Sequence, residues 1–291
     1  MKLLRQFLSN PLSLLGFLLL LFFLAVAALA PILAPPRPNR DPYMIPRDGF
    51  RVTPEPPSAK HPFGTTEGQY DIFYGIVWGT RTAFKIGMVV VACGVIIGVL
   101  IGSVSGYYGG RVDEVLMRTT DVFLSFPFLV AAMVMTTVLG KGLTNMMIAL
   151  IVFGWMDHAR LIRSEVLRIK EMEYILAARV SGATHRRVLL RHVLPNAVYP
   201  VFVSASMATG TMVVTAAALS FLGVGTEIGY ADWGQMISFS RSWIIGQSSD
   251  PFKYWYTVIY PGAAIFLFML AWTFMGDGLR DVLDPRLRGS R

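Results

Sequence analysis

The chain has 291 residues, 54% hydrophobic and only 15% charged, with 26 Lys and Arg against 18 Asp and Glu for a net charge of +8. Soluble domains carry about 25% charged residues, so the composition excludes an ordinary water-soluble domain and points to a membrane protein. The single cysteine, Cys93, rules out an intramolecular disulfide and a cysteine-based metal site.

Long apolar runs cover residues 12–33, 86–110, 122–140, 142–156, 193–226 and 254–276. A helix needs about 20 mostly apolar residues to cross the hydrocarbon core. The fourth run falls short unless residues 158–161 extend it at headgroup level. Backbone polar groups in lipid must be satisfied within the structure, and a barrel would alternate every second residue, so these runs predict helices. The expected fold class is an all-α membrane protein with a six-span bundle. Its parts are an N-terminal anchor at 1–34, an external linker at 35–81, and a five-span core at 82–291 that carries a loop at 157–196.

Lys2 and Arg5 precede the first run, and Ala28-Leu29-Ala30 looks like a signal-peptide cleavage site. The run is longer than the usual signal core of about 7–15 residues, and Pro31 would follow the cut, so an uncleaved anchor is expected. Nine prolines between Pro35 and Pro62 make the next stretch irregular, with no sign of a separate domain. A short amphipathic helix is expected at 71–78, turning Ile72, Phe73, Ile76 and Val77 toward lipid or protein.

Gly94, Gly98, Gly102 and Gly106 recur every fourth residue in the second run, forming a smooth groove along one helix face. Small-residue faces let membrane helices approach closely, so this span packs deep, against its own chain or a partner subunit. Gly109-Gly110 ends it. Trp233, Trp243, Tyr254, Trp255, Tyr256 and Tyr260 read as an external aromatic belt, with substrate stacking as the other reading.

The positive charge follows topology. Eight of the 26 basic residues lie between Arg160 and Arg191, and short loops rich in Lys and Arg stay cytoplasmic. Both termini and the loops at 107–118 and 157–196 are therefore placed inside, and the charge calls for no nucleic-acid partner.

The loop from Glu171 to Asn196 is expected to fold as two helices with a break. Glu171 and Glu173 suit the N-terminal dipole of the first. Gly182 fits a left-handed C′ position, Thr184 caps the second helix, and Pro195 closes it. Val188, Leu189, Val193 and Leu194 form the apolar face of the second helix, with Arg186, Arg187 and Arg191 exposed. Neither His185 nor His192 belongs to a catalytic or metal constellation. The residues alone leave two readings open: a docking site for a soluble partner, or an amphipathic connector held on the inner leaflet by membrane lipid.

Ala177-Ala178, Gly182 and Leu194-Pro195 together resemble the EAA loop of binding-protein-dependent ABC importer permeases. An ordered set of further matches resembles the C-type subunit of the dipeptide/oligopeptide/nickel permease family. It comprises His61-Pro62-Phe63-Gly64-Thr65, Gly106-Tyr107-Tyr108-Gly109-Gly110, Met117-Arg118, Asp121, Phe126-Pro127 and Ala159-Arg160-Leu161. Leu219-Ser220-Phe221-Leu222-Gly223, Trp233-Gly234, Gly276-Asp277-Gly278-Leu279-Arg280-Asp281 and a motif at 283–289 complete it. The resemblance implies a non-catalytic subunit without cofactors. Its partners would be a homologous B-type permease, two ABC ATPases and an external solute-binding protein. ATPase docking would fall to Glu173, Tyr174, Ala177, Ala178, Gly182, Arg187, Arg191 and Pro195. Two departures stand out: Leu176 occupies the position of the motif glutamate, and Glu67-Gly68-Gln69-Tyr70-Asp71 replaces an acidic-Gly-Arg-Asp stretch. Asp157 and His158 also sit where neutral residues are expected; a headgroup-level hydrogen bond or a pH-sensing role are the two readings.

No phosphate-binding loop is present, since Gly140-Lys141-Gly142 lacks the earlier glycine. A secondary transporter would show intramembrane acids and repeat symmetry, and a membrane enzyme would show clustered catalytic groups; neither pattern is found. Dipeptides, longer peptides, nickel chelates and oligosaccharides all remain open as cargo.

Overall fold

A computed structural model describes residues 10–245 and 252–283; Lys2, Arg5 and the motif positions 284–289 lie outside the described residues. The described residues are helical, with no strands beyond three isolated bridges. In chain order the helices are α1 (Pro11–Leu33), α2 (Ile72–Tyr108), α3 (Gly110–Leu124), α4 (Phe128–Leu139), α5 (Leu143–Phe153) and α6 (Met156–Lys170). Then come α7 (Glu173–Val180), α8 (His185–Val188), a π-helical turn (Leu189–Val193), α9 (Leu194–Ala197), α10 (Tyr199–Phe221), α11 (Trp233–Ser238), α12 (Arg241–Ile245) and α13 (Tyr256–Leu283).

Four of these, α1, α2, α10 and α13, are each long and apolar enough to cross a membrane. Helices α3 and α4 meet the same test only together, and they are bent by 82° at the break between them. Pro127 explains the break, because the residue before a proline is pushed out of the helical region. The fourth apolar run becomes α5, only 11 residues long, which stops at Gly154.

Helix α2 is the spine. At 37 residues it is about 55 Å long, well beyond the roughly 30 Å hydrocarbon core. The expected interfacial helix at 71–78 is not separate: it forms the first two turns of α2, where Ile72 and Val77 are buried in protein. Asp71 caps it, accepting from Tyr74 N at 2.7 Å. At the other end Gly109 (φ +67) and Gly110 (φ +54) turn the chain into α3.

The glycine stripe of α2 is filled by this chain's own α6. A Cβ added at Gly94 would lie 3.0 Å from Gly154 O, at Gly98 2.7 Å from Trp155 O, at Gly102 2.1 Å from Ala159 O, and at Gly106 2.9 Å from Arg163 O. The start of the charged 157–196 segment is therefore a packed helix. Ala159, Ile162, Val166 and Ile169 are buried along it at helical spacing, while its arginines face outward or pair. Arg163 makes a two-pronged contact with Asp113 of α3 (2.6 and 2.5 Å), and Arg160 reaches Asp121 at 2.6 Å. His158 is buried, its Cβ lying against the Gly98 position of α2.

Two prolines inside long helices leave orphaned carbonyls, since proline has no N–H for the residue four back. Pro31 frees Ala27 O, which accepts from Arg81 Nε of α2 at 2.5 Å, and the Arg81 guanidinium lies over the Trp78 ring. Pro261 frees Thr257 O, which accepts from Ser240 Oγ at 3.4 Å. Each defect becomes an inter-helix tie.

The proline-rich stretch is folded over the Ile72 end of α2. Trp78 Nε1 donates to Ala34 O (2.9 Å) and Tyr74 Oη to Pro42 O (2.7 Å). Buried His61 sits between Asp71 (2.6 Å) and Asp48 (3.3 Å). The hydrogen-bonded Lys60 ammonium, with Arg37, holds the Asp48 carboxyl below its ordinary 3.8 despite some burial.

The expected aromatic belt is largely a core. Trp233, Trp243 and Tyr256 are buried, and Trp233 packs on Gly79 while donating to Ile76 O at 3.2 Å. Phe268 (0% exposed) meets Phe23, Phe84 and Trp233 edge-on. Trp255 alone of the three tryptophans stays half exposed.

Gly102→Val should cost at least about 3 kcal/mol through backbone overpacking, seen as a lower melting temperature in detergent, whereas Gly262→Ala, with open space at its Cβ, should melt like wild type. Because the Asp48 pKa is depressed on folding, its pairing stabilises above the unfolded value and is lost as pH falls through the folded one. Asp48→Asn should thus lower the melting temperature at pH 7, and the gap from wild type should close below pH 3.8.

Candidate docking segment between α6 and α10

Between Lys170 and Tyr199 the chain leaves the bundle and returns through a helical hairpin. Met172 is the N-cap of α7, and Glu173 occupies its first turn, where a carboxylate suits the dipole. Glu171 does not begin this helix; it is the C-cap residue of α6.

The end of α7 is a Schellman turn. Gly182 takes φ +83; its N–H returns to Arg179 O (3.0 Å) and that of Ala183 to Ala178 O (3.1 Å). The Cβ position of Gly182 is open, so the glycine is required by backbone conformation, not by space. Thr184 then caps α8, its hydroxyl accepting from Arg187 N at 3.4 Å.

Pro195 does not close the second helix as expected. The helical path widens into the π turn at Leu189–Val193, with Leu194 N–H returning to Leu189 O, and continues through α9. The wider turn accommodates a proline that has no N–H to give and a ring that crowds the preceding turn.

The hairpin is amphipathic. Ile175, Val188, Leu189, Val193 and Ala197 pack with Ile162, Val166 and Ile169 of α6. Outward lie Glu173, Tyr174, Leu176, Ala177, Gly182, Arg186, Arg187, Arg191 and Pro195, with Ala178 partly covered. Val180, at the tip of α7, is 89% exposed. One face of α7 therefore presents Glu173, Leu176, Ala177 and Val180 within two turns, and the basic residues of α8 stand beyond the Gly182 turn.

Three contacts pin this hairpin to the Tyr108 end of α2. Tyr107 Oη and His185 Nδ1 share a hydrogen bond at 3.1 Å; the Arg179 guanidinium lies over the Tyr107 ring; Lys170 Nζ donates to Gly106 O at 2.9 Å. His185 and Tyr107 attracted no role from sequence, because residues 78 positions apart give no spacing signal. Among the described residues no group of three or more metal-ligating side chains occurs.

The helical core from Gly94 onward, with this hairpin in its middle, is shared with other proteins. Residues 94–289 match the family of binding-protein-dependent transport system inner membrane components. The chain belongs to that family. Residues 2–55 match the N-terminal TM domain of oligopeptide transport permease C. Relatives include the dipeptide transport system permease protein DppC of Alkalihalophilus pseudofirmus, 36% identical, covering 98% of this chain and 89% of that protein. The oligopeptide transport system permease protein OppC of Bacillus subtilis is 34% identical over 97% of this chain and 88% of its own length. The glutathione transport system permease protein GsiD of Pectobacterium atrosepticum is 38% identical over 80% and 75%. Among solved structures, the inward-facing MetNI methionine ABC transporter matches with TM-score 0.57 and 19% identity over 72% of this chain and 97% of that one, a likeness of fold. This protein is thus a multi-pass inner-membrane permease subunit of an ABC transporter, not itself a catalyst.

Proposed function

We propose that this chain is the C-type permease of an ABC importer for dipeptides or oligopeptides. The peptide reading rests on relatives that cover nearly the whole chain and are dipeptide and oligopeptide permeases. By this reading the chain crosses the membrane six times, in α1, α2, the α3–α4 pair, α5 continued by α6, α10 and α13. The pairing of α6 against α2 supports a fourth span that α5 is too short to make alone. Both termini and the α7–α9 hairpin lie on the cytoplasmic side, in keeping with the basic residues between Arg160 and Arg191.

A homologous B-type subunit completes the translocation path, an external solute-binding protein delivers cargo, and two ATPases bind below. The observation that carries the docking assignment is the hairpin's form: an exposed α7 face of small and apolar side chains, held by a buried inner face and a Schellman turn. A rigid projecting helix loses little entropy on binding. With Leu176 exposed where the resembling motif has an acid, the contact is made by shape, by Val180 and by Glu173. ATP-driven closure of the ATPases shifts the hairpin as a body, and each access state is favoured by the contacts it makes better than the other.

Gly182→Val forces a β-branched side chain into φ +83, a strain of about 1–2 kcal/mol. The variant should insert and fold, yet recover less ATPase on affinity purification than wild type. Normal ATPase recovery with normal transport would refute the assignment.

A further inference from the structure

Tyr107 lies on the last turn of α2 and is only 6% exposed. It touches both arms of the hairpin. Arg179, on α7, places its guanidinium carbon 5.6 Å from the ring centroid. His185, on α8, meets the same ring edge-on and hydrogen-bonds its hydroxyl. Arg179 Nε is buried with no hydrogen-bond acceptor, so the ring face is what offsets the cost of removing that group from water. The tyrosine thus spans the Gly182 break from beneath and joins α7 to α8.

The covalent route from the hairpin to α10 is softer. It runs through the π turn, α9, and a second proline, Pro200, in the first turn of α10. A π turn interrupts the regular α-helical ladder, here with Leu194 N–H reaching back to Leu189 O, and such turns occur mostly at functional sites. The route to α2 is a buried ring against a 37-residue helix, braced at the neighbouring residue by Lys170 on Gly106 O.

We propose that Tyr107 is the residue through which movement of the docked hairpin is delivered to α2, so that α2 is driven directly and α10 follows. Tyr107 is a positioning residue: it touches neither nucleotide nor cargo. The inference rests on the docking reading above, and its test separates the two.

The full importer, this chain with its partner permease and ATPases, is placed in lipid nanodiscs. Spin labels are attached at exposed Met88 and Val138 in a Cys93→Ser background. Their distance is compared at rest and with ATP trapped by vanadate. Wild type should shift on trapping. Tyr107→Leu should keep its ATPase subunits and their hydrolysis but reduce the shifted population about tenfold, equivalent to about 1.4 kcal/mol of lost coupling. Tyr107→Phe, which keeps the ring under Arg179, should restore most of the shift. A Tyr107→Leu importer that shifts like wild type overturns the inference. So does one that loses its ATPases, which would make Tyr107 a scaffold of the hairpin, or a wild type whose label distance stays fixed. A wild-type importer that retains no ATPase through this hairpin defeats the docking reading instead.

Discussion

The close approach of α2 and α6 is the constraint from which the rest of the architecture follows. With backbone carbonyls of α6 and of the two residues before it within 2.1 to 3.0 Å of where glycine side chains would begin, the two segments have little space for adjustment. Apolar surface brings no net drive inside a membrane, and close backbone packing takes its place. The last turn of α6 delivers the chain to Met172, and the hairpin projects from there. The Asp113–Arg163 and Asp121–Arg160 pairs fix α3 to the same helix. Partial burial makes the first, two-pronged pair the stronger, since an exposed pair contributes little.

Prolines supply a second order of organisation. Membrane helices tolerate them when neighbours take up the freed carbonyls. Here Arg81 does so for Pro31 and Ser240 for Pro261, tying α1 to α2 and α13 to the turn before α12. Arg81, partly buried, is thereby a structural staple. At Pro195 the solution differs: the backbone itself widens. That widening lies in the link between the hairpin and α10.

Much of this was legible from sequence. Apolar runs located α1, α2, α10 and α13, and the spacing of Gly94 to Gly106 marked the face that α6 fills. Gly182 announced a left-handed turn. What stayed hidden has physical reasons. Helix α6 is disguised by its arginines, although Ala159, Ile162, Val166 and Ile169 carry a buried stripe at helical spacing. The start of α2 was missed because Arg81 and Lys85 interrupt the apolar run, and one of those charges is satisfied by a carbonyl that only the proline in α1 frees. Trp233 looked interfacial because tryptophans favour that zone; the glycine at 79 that admits its ring lies far away in the chain. Tyr107 stood in the Gly106–Gly110 motif, but nothing there named its partners, Arg179 and His185, which come from two other elements.

Coverage of the α7 face by an ATPase, as proposed, can be read directly by crosslinking. A photo-crosslinking amino acid at Val180, 89% exposed at the tip of α7, is activated in cells, with the same group at exposed Phe50 of the proline-rich stretch as control. Val180 should capture an ABC ATPase subunit in full-length form while Phe50 does not. Capture of lipid alone at Val180, or of ATPase equally at both positions, would contradict it.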